Sequence, residues 1–327
     1  MNYTGKSCLL IGCLMSATLS SFANPVDRSA VTDNPAWALH LDADALRTSI
    51  VGKHILAEMS KPDAELRFAL LKAATGSDLR TALHGITVYG ATPSPEDGVA
   101  LVYADLNAER LGALAKMTED YRTSSHGKHQ VLSWIDGKRR EKEGGQPRTY
   151  AAIDQDRMVV VFAQNETRLT GALDVLDGTQ PSLAKSAALP NFGGGEPMVI
   201  QGVARQFDGA GDNPGAAVLA QSKLIALEVR ENGRQLLANL SLEIKDAESA
   251  RHVANIARGI VGIIALQPDN PDAVKLARGV SVEQNGLTTI VKLNLPAEDV
   301  VAALKADAAK KEAKEAAEKK AKEKAAK

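Results

Sequence analysis

Runs of apolar or alternating residues recur along the chain, and each is followed by a polar step and then by a helical pattern. The first runs from Trp37 to Asp42 and leads into Ala43. Asp, Asn or Pro at such a step is typical of a helix start, because Asp and Asn accept hydrogen bonds from free first-turn amides and Pro has no amide to leave unpaired. The pattern predicts strands followed by helices at 37–42, 98–105, 158–163, 235–243 and 288–295.

Several of the predicted strands come as adjacent pairs joined by short loops. Asn232-Gly233 and Asn285-Gly286 separate two of these pairs, and Asn-Gly between alternating strands is the strongest short hairpin signal in a sequence. Such short connections join antiparallel strands. We therefore expect an α+β fold in which helices pack on one face of antiparallel sheets. The predicted pairs are 86–89 with 99–104, 150–153 with 158–162, 223–230 with 235–243, and 280–283 with 288–295.

The periodicity breaks at 181–197, a segment rich in proline, serine and glycine. We place a boundary there between a first α+β domain at 34–189 and a second at 198–304. Both repeat the hairpin-then-helix unit, which suggests a diverged duplication. In the second domain, a long helix beginning at Asp246 has apolar residues at three- and four-residue spacing, which predicts a buried stripe. The stripe consists of Val253, Ile256, Ala257, Ile260, Ile263 and Ile264.

Residues 305–327 form a tail of alanine, lysine and glutamate, apart from Asp307. Acid-then-base pairs four residues apart, such as Asp307 with Lys311, stabilise a helix by about 0.2–0.5 kcal/mol each. Since leucine and isoleucine are absent from the tail, we predict a solvated helix. Its composition resembles the alanine-lysine-glutamate helices of Tol-type envelope proteins, a resemblance that implies no binding residues. A charged extension without a partner and a tether to an envelope protein or cell-wall component both fit this composition.

The first 23 residues have the pattern of a secretion signal. A short cationic start precedes the apolar run 7–19, and small residues follow, so we predict cleavage between Ala23 and Asn24. The run is shorter than the roughly 20 residues of a membrane span, and we expect none in the mature chain. A lipobox ending at Cys13 is an alternative, but the apolar run continues past Cys13, which favours cleavage after Ala23. The predicted location is the periplasm or the medium.

Composition argues against several classes of function. Both cysteines, Cys8 and Cys13, lie in the predicted leader, so the mature chain would have no disulfide and no thiolate metal ligand. The chain carries 39 basic and 40 acidic residues, and its tail holds nine lysines and five acids, so the body is mildly acidic. This balance is unlike the basic face of a nucleic-acid-binding protein. Aromatic residues make up 4% of the chain, which disfavours both a carbohydrate cleft and an aromatic belt at a lipid interface.

The sequence motifs of several enzyme classes are absent. The chain has no glycine loop leading into a helix that would bind phosphate, no Gly-x-Ser-x-Gly elbow and no His-Glu-x-x-His pair. His126 and His129 lie three residues apart just before a predicted strand. Two imidazoles can begin a zinc site, but a third ligand is needed and the sequence does not indicate one. We therefore interpret both histidines as polar loop residues and predict no metal, cofactor or catalytic residue.

Three other polar segments have structural interpretations. Asp42 and Asp44 lie at a strand-to-helix junction, where a carboxylate pair for acid–base chemistry competes with a helix cap, and we favour the cap. The loop 208–215 is rich in oxygen ligands but lacks the closing glutamate of a calcium-binding EF-hand, so we interpret it as a surface loop. The mixed charges of 138–142, between two strands, predict a solvated hairpin tip.

Together these observations favour a non-catalytic envelope protein that binds another protein or an envelope component. The first alternative is a small-molecule binder with its site in the cleft between the two predicted domains, a common place for ligands. The second is a hydrolase or metal-dependent enzyme whose site assembles from dispersed residues. Its candidate residues would be Asp42, Asp44, His126 and His129.

Overall fold

A computed structural model describes residues 26–190, 198–205, 214–267 and 271–325, with the side chains of all but 63, 214–217, 272 and 312–325. The predicted leader, its cleavage site at Ala23 and Asn24, and most of the loop 208–215 lie outside the described residues. None of the helices in the described ranges combines the length and the apolar character that a membrane span requires.

The described residues form twelve strands. These are β1 (Trp37–Asp42), β2 (Leu83–Gly90), β3 (Gly98–Ala104), β4 (Arg122–His126), β5 (His129–Ile135), β6 (Arg148–Asp154), β7 (Val159–Ala163), β8 (Ile200–Ala204), β9 (Ser222–Asn232), β10 (Gln235–Ile244), β11 (Val280–Asn285) and β12 (Thr288–Pro296). They make one sheet in the order β11-β12-β10-β9-β8-β1-β2-β3-β7-β6-β5-β4. Every neighbouring pair is antiparallel, as the sequence predicts for the hairpins.

Eleven α-helices connect or flank these strands in the described part of the chain. They are α1 (Ala43–Thr48), α2 (Ile50–Glu58), α3 (Pro62–Thr75), α4 (Leu79–Ala82), α5 (Ala108–Lys116), α6 (Gly137–Glu143), α7 (Glu166–Leu176), α8 (Pro214–Gln221), α9 (Ala247–Ala265), α10 (Pro271–Arg278) and α11 (Ala297–Ala325). The architecture is therefore α+β with a large antiparallel sheet, which confirms the predicted fold class at this level.

Helix starts follow the predicted polar steps. The side chains of Asp42, Asn107, Asn165 and Asp246 each accept a hydrogen bond from a first-turn amide, of α1, α5, α7 and α9 respectively. Each bond pairs one of the amides that a helix start leaves free. Helix α11 begins directly after Pro296 and continues to Ala325, so the predicted tail is helical as far as it is described.

All four predicted hairpins are present, and the sequence analysis missed a fifth. Gly233 and Gly286 adopt positive φ in the turns after β9 and β11, where a side chain would be strained. The fifth hairpin joins β4 to β5 through Gly127, whose φ is 56°. The segment 138–142 does connect two paired antiparallel strands, β5 and β6, but it forms helix α6 instead of a hairpin tip, and Asp136 accepts from the amides of Lys138 and Arg139 at the helix start.

The sheet contains two halves that meet at one strand pair, β1 with β8. In the first half the order is β1-β2-β3-β7-β6, and in the second it is β8-β9-β10-β12-β11; the hairpin β5-β4 is an addition at the edge of the first. The strands of both predicted domains thus belong to a single sheet. The shared order is what a duplication would produce, while the duplication and the division into domains at 34–189 and 198–304 stay predictions.

Register assigns each side chain to one of two faces, because residues directly opposite each other in neighbouring strands point to the same side. We call the face that contacts α7 the α7 face. There Leu101, Val159 and Val161 pack beneath Leu169 and Leu173 in the main hydrophobic core. We call the opposite face the groove face. Helix α5 lies on it, over the outer strands of the first half.

The expectation that helices occupy one face is therefore wrong for the first half of the sheet. Its strands β3 and β7 are apolar on both sides, so both faces gain from cover. In the second half, α9 lies on the groove face, where Ala250 and Val253 pack against Leu242. The opposite face carries polar side chains such as Glu228, Asn239 and Lys292, so the second half has the expected alternation.

The predicted buried stripe of α9 is only partly correct. Ala250, Val253 and Ala254 are buried, and Ala257 and Ile264 are half-buried. The other three members of the stripe are exposed: Ile256 at 49%, Ile260 at 53% and Ile263 at 65%. The apolar residues of this helix span more of its circumference than the sheet covers. The three- and four-residue spacing therefore did not show which of these residues would be buried.

We expect Leu173→Ala to lower the free energy of unfolding by about 2–5 kcal/mol, because it empties a fully buried position between α7 and the sheet. Leu70→Ala is the matched control, since Leu70 on α3 is 64% exposed, and should change stability by less than about 0.5 kcal/mol. Urea unfolding followed by circular dichroism measures both. Equal losses would contradict the assignment of the core to the α7 face.

Candidate functional site

One end of the groove face carries the indole ring of Trp37, which lies flat against the backbone of β2. Gly90 stands opposite Trp37, and a Cβ at Gly90 would lie 2.8 Å from the ring. A real Cβ does not approach so closely, so glycine is what allows the indole to lie there. The ring is also held from above, because its Nε1 donates a hydrogen bond to the carbonyl oxygen of Thr92 at 2.8 Å.

An open apolar groove lies beside this indole. Its volume is about 380 Å³, in the range of pockets that take small ligands. The floor comes from strands β2, β3 and β7, and the lining is mostly apolar, with Thr149 and Gln164 as its uncharged polar side chains. The lining residues are Trp37, Val88, Pro95, Gly98, Val99, Ala100, Thr149, Phe162, Ala163 and Gln164.

A second cavity of about 210 Å³ lies beneath α5 on the same face. Leu111 and Leu114 of the helix form its roof, and Trp134 and Val160 are among the strand residues of its floor. Phe162 lines both this cavity and the groove. The two spaces therefore adjoin, in a direction that crosses the strands.

The apolar surface of the groove face continues toward the centre of the sheet. Leu39 lies on β1, which has paired strands on both sides, yet its side chain is 41% exposed. It rests over Gly202, where a Cβ would come within 3.0 Å of the leucine Cδ1. An apolar side chain in a central strand is ordinarily covered, so Leu39 marks a part of the sheet that the described helices leave open.

The position of Trp37 depends on a chain of hydrogen bonds that reaches α7. The Thr92 hydroxyl donates to Asp97 Oδ2 at 2.7 Å, and Arg168 Nε donates to Asp97 Oδ1 at 2.9 Å. These two bonds hold the pKa of Asp97 below its ordinary value, with the bond from Thr92 as the larger cause. The charged form of Asp97 thus holds the loop that contains Thr92, whose carbonyl oxygen accepts the hydrogen bond from the Trp37 indole.

The carboxylates at the end of β1 have structural roles. Asp42 caps α1, as predicted, by accepting from the amide of Ala45 at 2.8 Å. Asp44 forms an ion pair with Arg47 and lies 3.1 Å from Nδ1 of His84. The predicted cap is confirmed, and the two carboxylates have separate partners.

The two histidines that the sequence analysis interpreted as polar loop residues lie in strands instead, His126 at the end of β4 and His129, which is buried, at the start of β5. Each meets an aspartate near the C-terminal end of α7. His126 Nε2 lies 2.7 Å from Asp174, and His129 Nε2 lies 3.1 Å from Asp177. Strand β5, which carries His129, is five strand spacings from β1, or roughly 24 Å at about 4.8 Å per spacing. The structure thus does not gather Asp42, Asp44 and the two histidines into one site.

Sequence reasoning missed the groove, although a signal for it is present. The segments 99–104 and 158–163 are apolar at consecutive positions, which is typical of strands with both faces against apolar surroundings. The groove also lies within the first predicted domain, and not in a cleft between the two, where the sequence analysis placed a small-molecule site.

Comparisons with known proteins give no family. No family model matches the sequence, and no curated protein matches it. Among solved structures, crystal form III of TP0453 has a TM-score of 0.47 at 10% identity and covers 85% of this chain and 96% of that chain. Crystal form I of TP0453 has a TM-score of 0.44 at 8% identity, over 86% and 97%. We base no functional argument on similarity of this size.

We expect Asp97→Asn to shift the emission of Trp37 to longer wavelength, since the indole loses its fixed acceptor. The experiment uses a Trp134→Phe background, so that Trp37 alone reports. The substitution should cost roughly 1 kcal/mol of stability at pH 7, because the lost bonds are charge-assisted but partly exposed.

The pH dependence of this effect follows from the lowered pKa of Asp97. The stabilisation of the folded protein by the charged Asp97 is complete above about pH 3.9, the pKa of the carboxyl in the unfolded chain. It is lost as the pH falls through the lower pKa that Asp97 has in the folded protein. The stability difference between Asp97→Asn and its parent should therefore shrink below about pH 4. Glu96→Gln, an exposed change in the same loop, is the control. A difference that stays constant from pH 7 to pH 3 would contradict this role.

Proposed function

We propose that this chain is an exported, non-catalytic binding protein that holds an elongated apolar ligand of the acyl-chain class in the groove beside Trp37. Export rests on the sequence of the first 23 residues, which predicts a secretion signal. Ligand binding rests on the groove face, where an open cavity of about 380 Å³ adjoins a second one across Phe162.

The observation that carries the proposal is the uncovered apolar floor in the middle of a wide sheet. Removing apolar surface from water is worth about 25 cal/mol per Å². A ligand that covers the floor between Trp37 and Phe162, and extends toward Leu39, gains this energy without any change in the strands. Exposed apolar surface of this kind is typical of binding grooves.

The lining of the groove defines the chemistry of the ligand. None of the described residues that line the two cavities is charged, so an ionic group has no partner inside them. Thr149 and Gln164 also line the groove, and their uncharged polar side chains can bind a polar end. The two cavities adjoin in one direction, which favours a long, narrow apolar body with one polar end.

The same lining favours binding over catalysis. Among the described residues around both cavities there is no carboxylate, imidazole or amine that could serve as an acid, a base or a metal ligand. The histidines and carboxylates singled out in the sequence lie elsewhere, on the α7 face or at the end of β1. A ligand in the groove would therefore meet a surface suited to holding it.

A role for the tail in contacting an envelope partner is a second, separate proposal. Helix α11 is continuous from Ala297 to Ala325, and ion pairs join its first turns to Arg234 and Lys275. The tail therefore extends from an attached helix. Deleting 305–327 should abolish capture of such a partner and leave ligand binding in the groove unchanged.

The mature chain should bind a fluorescent fatty acid at one site. Ala100→Phe should weaken that binding at least about tenfold, which corresponds to a loss of about 1.4 kcal/mol of binding free energy. Ala100 lies on the floor of the groove, so the added ring occupies the space of the ligand. Fluorescence titration measures the affinity, and mass spectrometry of an organic extract of the purified protein tests for a native ligand. The matched control is Ala113→Phe, an exposed position on α5.

Two results would overturn the ligand proposal. One is equal binding by the parent and Ala100→Phe, which would place the probe elsewhere. The other is a dimeric parent that becomes monomeric in Ala100→Phe, as measured by sedimentation, which would identify the groove as an interface between two copies. Circular dichroism and thermal unfolding of both variants establish that the fold is kept.

A further inference from the structure

A buried histidine and two carboxylates meet at the edge of the α7 face, away from the groove. His129 opens β5, Asp154 closes β6 and Asp177 follows the last turn of α7. In the antiparallel pairing of β5 with β6, Val131 lies opposite Ala152. The same register places His129, two residues before Val131, opposite Asp154, two residues after Ala152. One ligand atom from each of the three residues can be chosen so that all lie within 4.8 Å of one another.

The hairpin turn between β4 and β5 brings Asp177 close to His129. Gly127 adopts a φ of 56°, and a Cβ there would lie 3.7 Å from Asp177 Oδ2, so the turn packs directly against this carboxylate. His129 Nε2 lies 3.1 Å from both carboxylate oxygens of Asp177. Two ligands of a tetrahedral zinc ion, each about 2.0–2.2 Å from the metal, are about 3.3–3.5 Å apart, so this pair needs little movement to bind one.

Asp154 supplies an independent indication that a ligand belongs here. The residue is 3% exposed, and its Oδ1 accepts hydrogen bonds from the amides of Asp156 and Arg157. Its Oδ2 is buried and has no hydrogen-bond partner among the described residues. A buried carboxylate oxygen without a partner is costly, and a bound cation would remove that cost.

The surrounding charges also favour a cation. Asp154, Asp156 and Asp177 bring three carboxylates together, and Lys128 is the ammonium next to them, 3.3 Å from Asp177 and 3.6 Å from Asp156. The Lys128 side chain is 58% exposed, so it can swing into solvent when an ion binds. An imidazole together with two carboxylates suits a divalent transition metal better than calcium or magnesium, which prefer oxygen ligands alone.

We propose that His129, Asp154 and Asp177 bind a divalent transition-metal ion of the zinc class, with one coordination position left to water or an external ligand. His126 is not part of this site: it does not belong to the group of three whose ligand atoms lie within 4.8 Å of one another, and its Nε2 pairs with a different carboxylate, that of Asp174. Of the two histidines that the sequence analysis weighed and set aside, one is therefore a ligand, and its partners come from β6 and α7. The site is independent of the groove, which lies on the other face of the sheet.

The test uses the untagged mature chain, dialysed against a chelator and then titrated with Zn²⁺ by calorimetry. We expect one equivalent to bind and the thermal midpoint to rise with zinc concentration. His129→Gln should weaken binding at least about tenfold, because even the loss of an outer-shell partner costs 10–100-fold. His126→Gln, the matched control in the same turn, should bind within about twofold of the parent.

Replacing Zn²⁺ with Co²⁺ gives an absorption signal that depends on metal coordination. A purely structural role of His129 would leave this signal unchanged. The visible absorption of tetrahedral Co²⁺ should appear in the parent and in His126→Gln and be absent from His129→Gln. Asp154→Asn keeps an oxygen that can accept from the amides of Asp156 and Arg157 but loses the second carboxylate oxygen, so it should fold and yet gain no stability from zinc. Binding of less than about a tenth of an equivalent by the parent, or equal losses in both histidine variants, would overturn the proposal.

Discussion

The pairing of β1 with β8 is the contact on which the rest of the molecule depends. It runs from Trp37 opposite Ala204 to Leu41 opposite Ile200, and it joins segments about 160 residues apart. Backbone bonds from Arg205 to Ala36 and from Asp42 to Val199 extend it at both ends. Without this pair each half would expose the edge of a sheet, and exposed edges recruit other strands. With this pair formed, the two halves make one continuous sheet.

The two halves use the same strand order but cover it differently. In the second half α9 lies on the groove face, and polar side chains alternate onto the opposite one. In the first half β3 and β7 are apolar on both sides, and α7 with its neighbouring segments packs on one side to form the main core. On the other side α5 covers the outer strands, and the surface between Trp37 and Leu39 stays accessible. The groove is thus a consequence of incomplete helical cover over an apolar floor.

The edge hairpin β4-β5 gives the first half a second chemical feature. It has no counterpart among the described residues of the second half, and its tight turn carries His129 to the end of α7. A long loop would leave an imidazole mobile, whereas a glycine turn packed against Asp177 fixes the ring beside a carboxylate. The groove and the proposed metal site therefore lie on opposite faces of the sheet, the groove over β2, β3 and β7 and the site at the ends of β5 and β6.

The sequence by itself determined what depends on neighbours along the chain. Asn-Gly turns gave the hairpins β9-β10 and β11-β12, and Asp42 and Asp246 marked helix starts, because turns and caps are set within a few residues. Only the tertiary structure decided which apolar side is covered, since periodicity is the same for buried Val253 and exposed Ile260. The partners of His129 were equally out of reach: Asp154 and Asp177 come from distant segments, and register and helix packing bring them together.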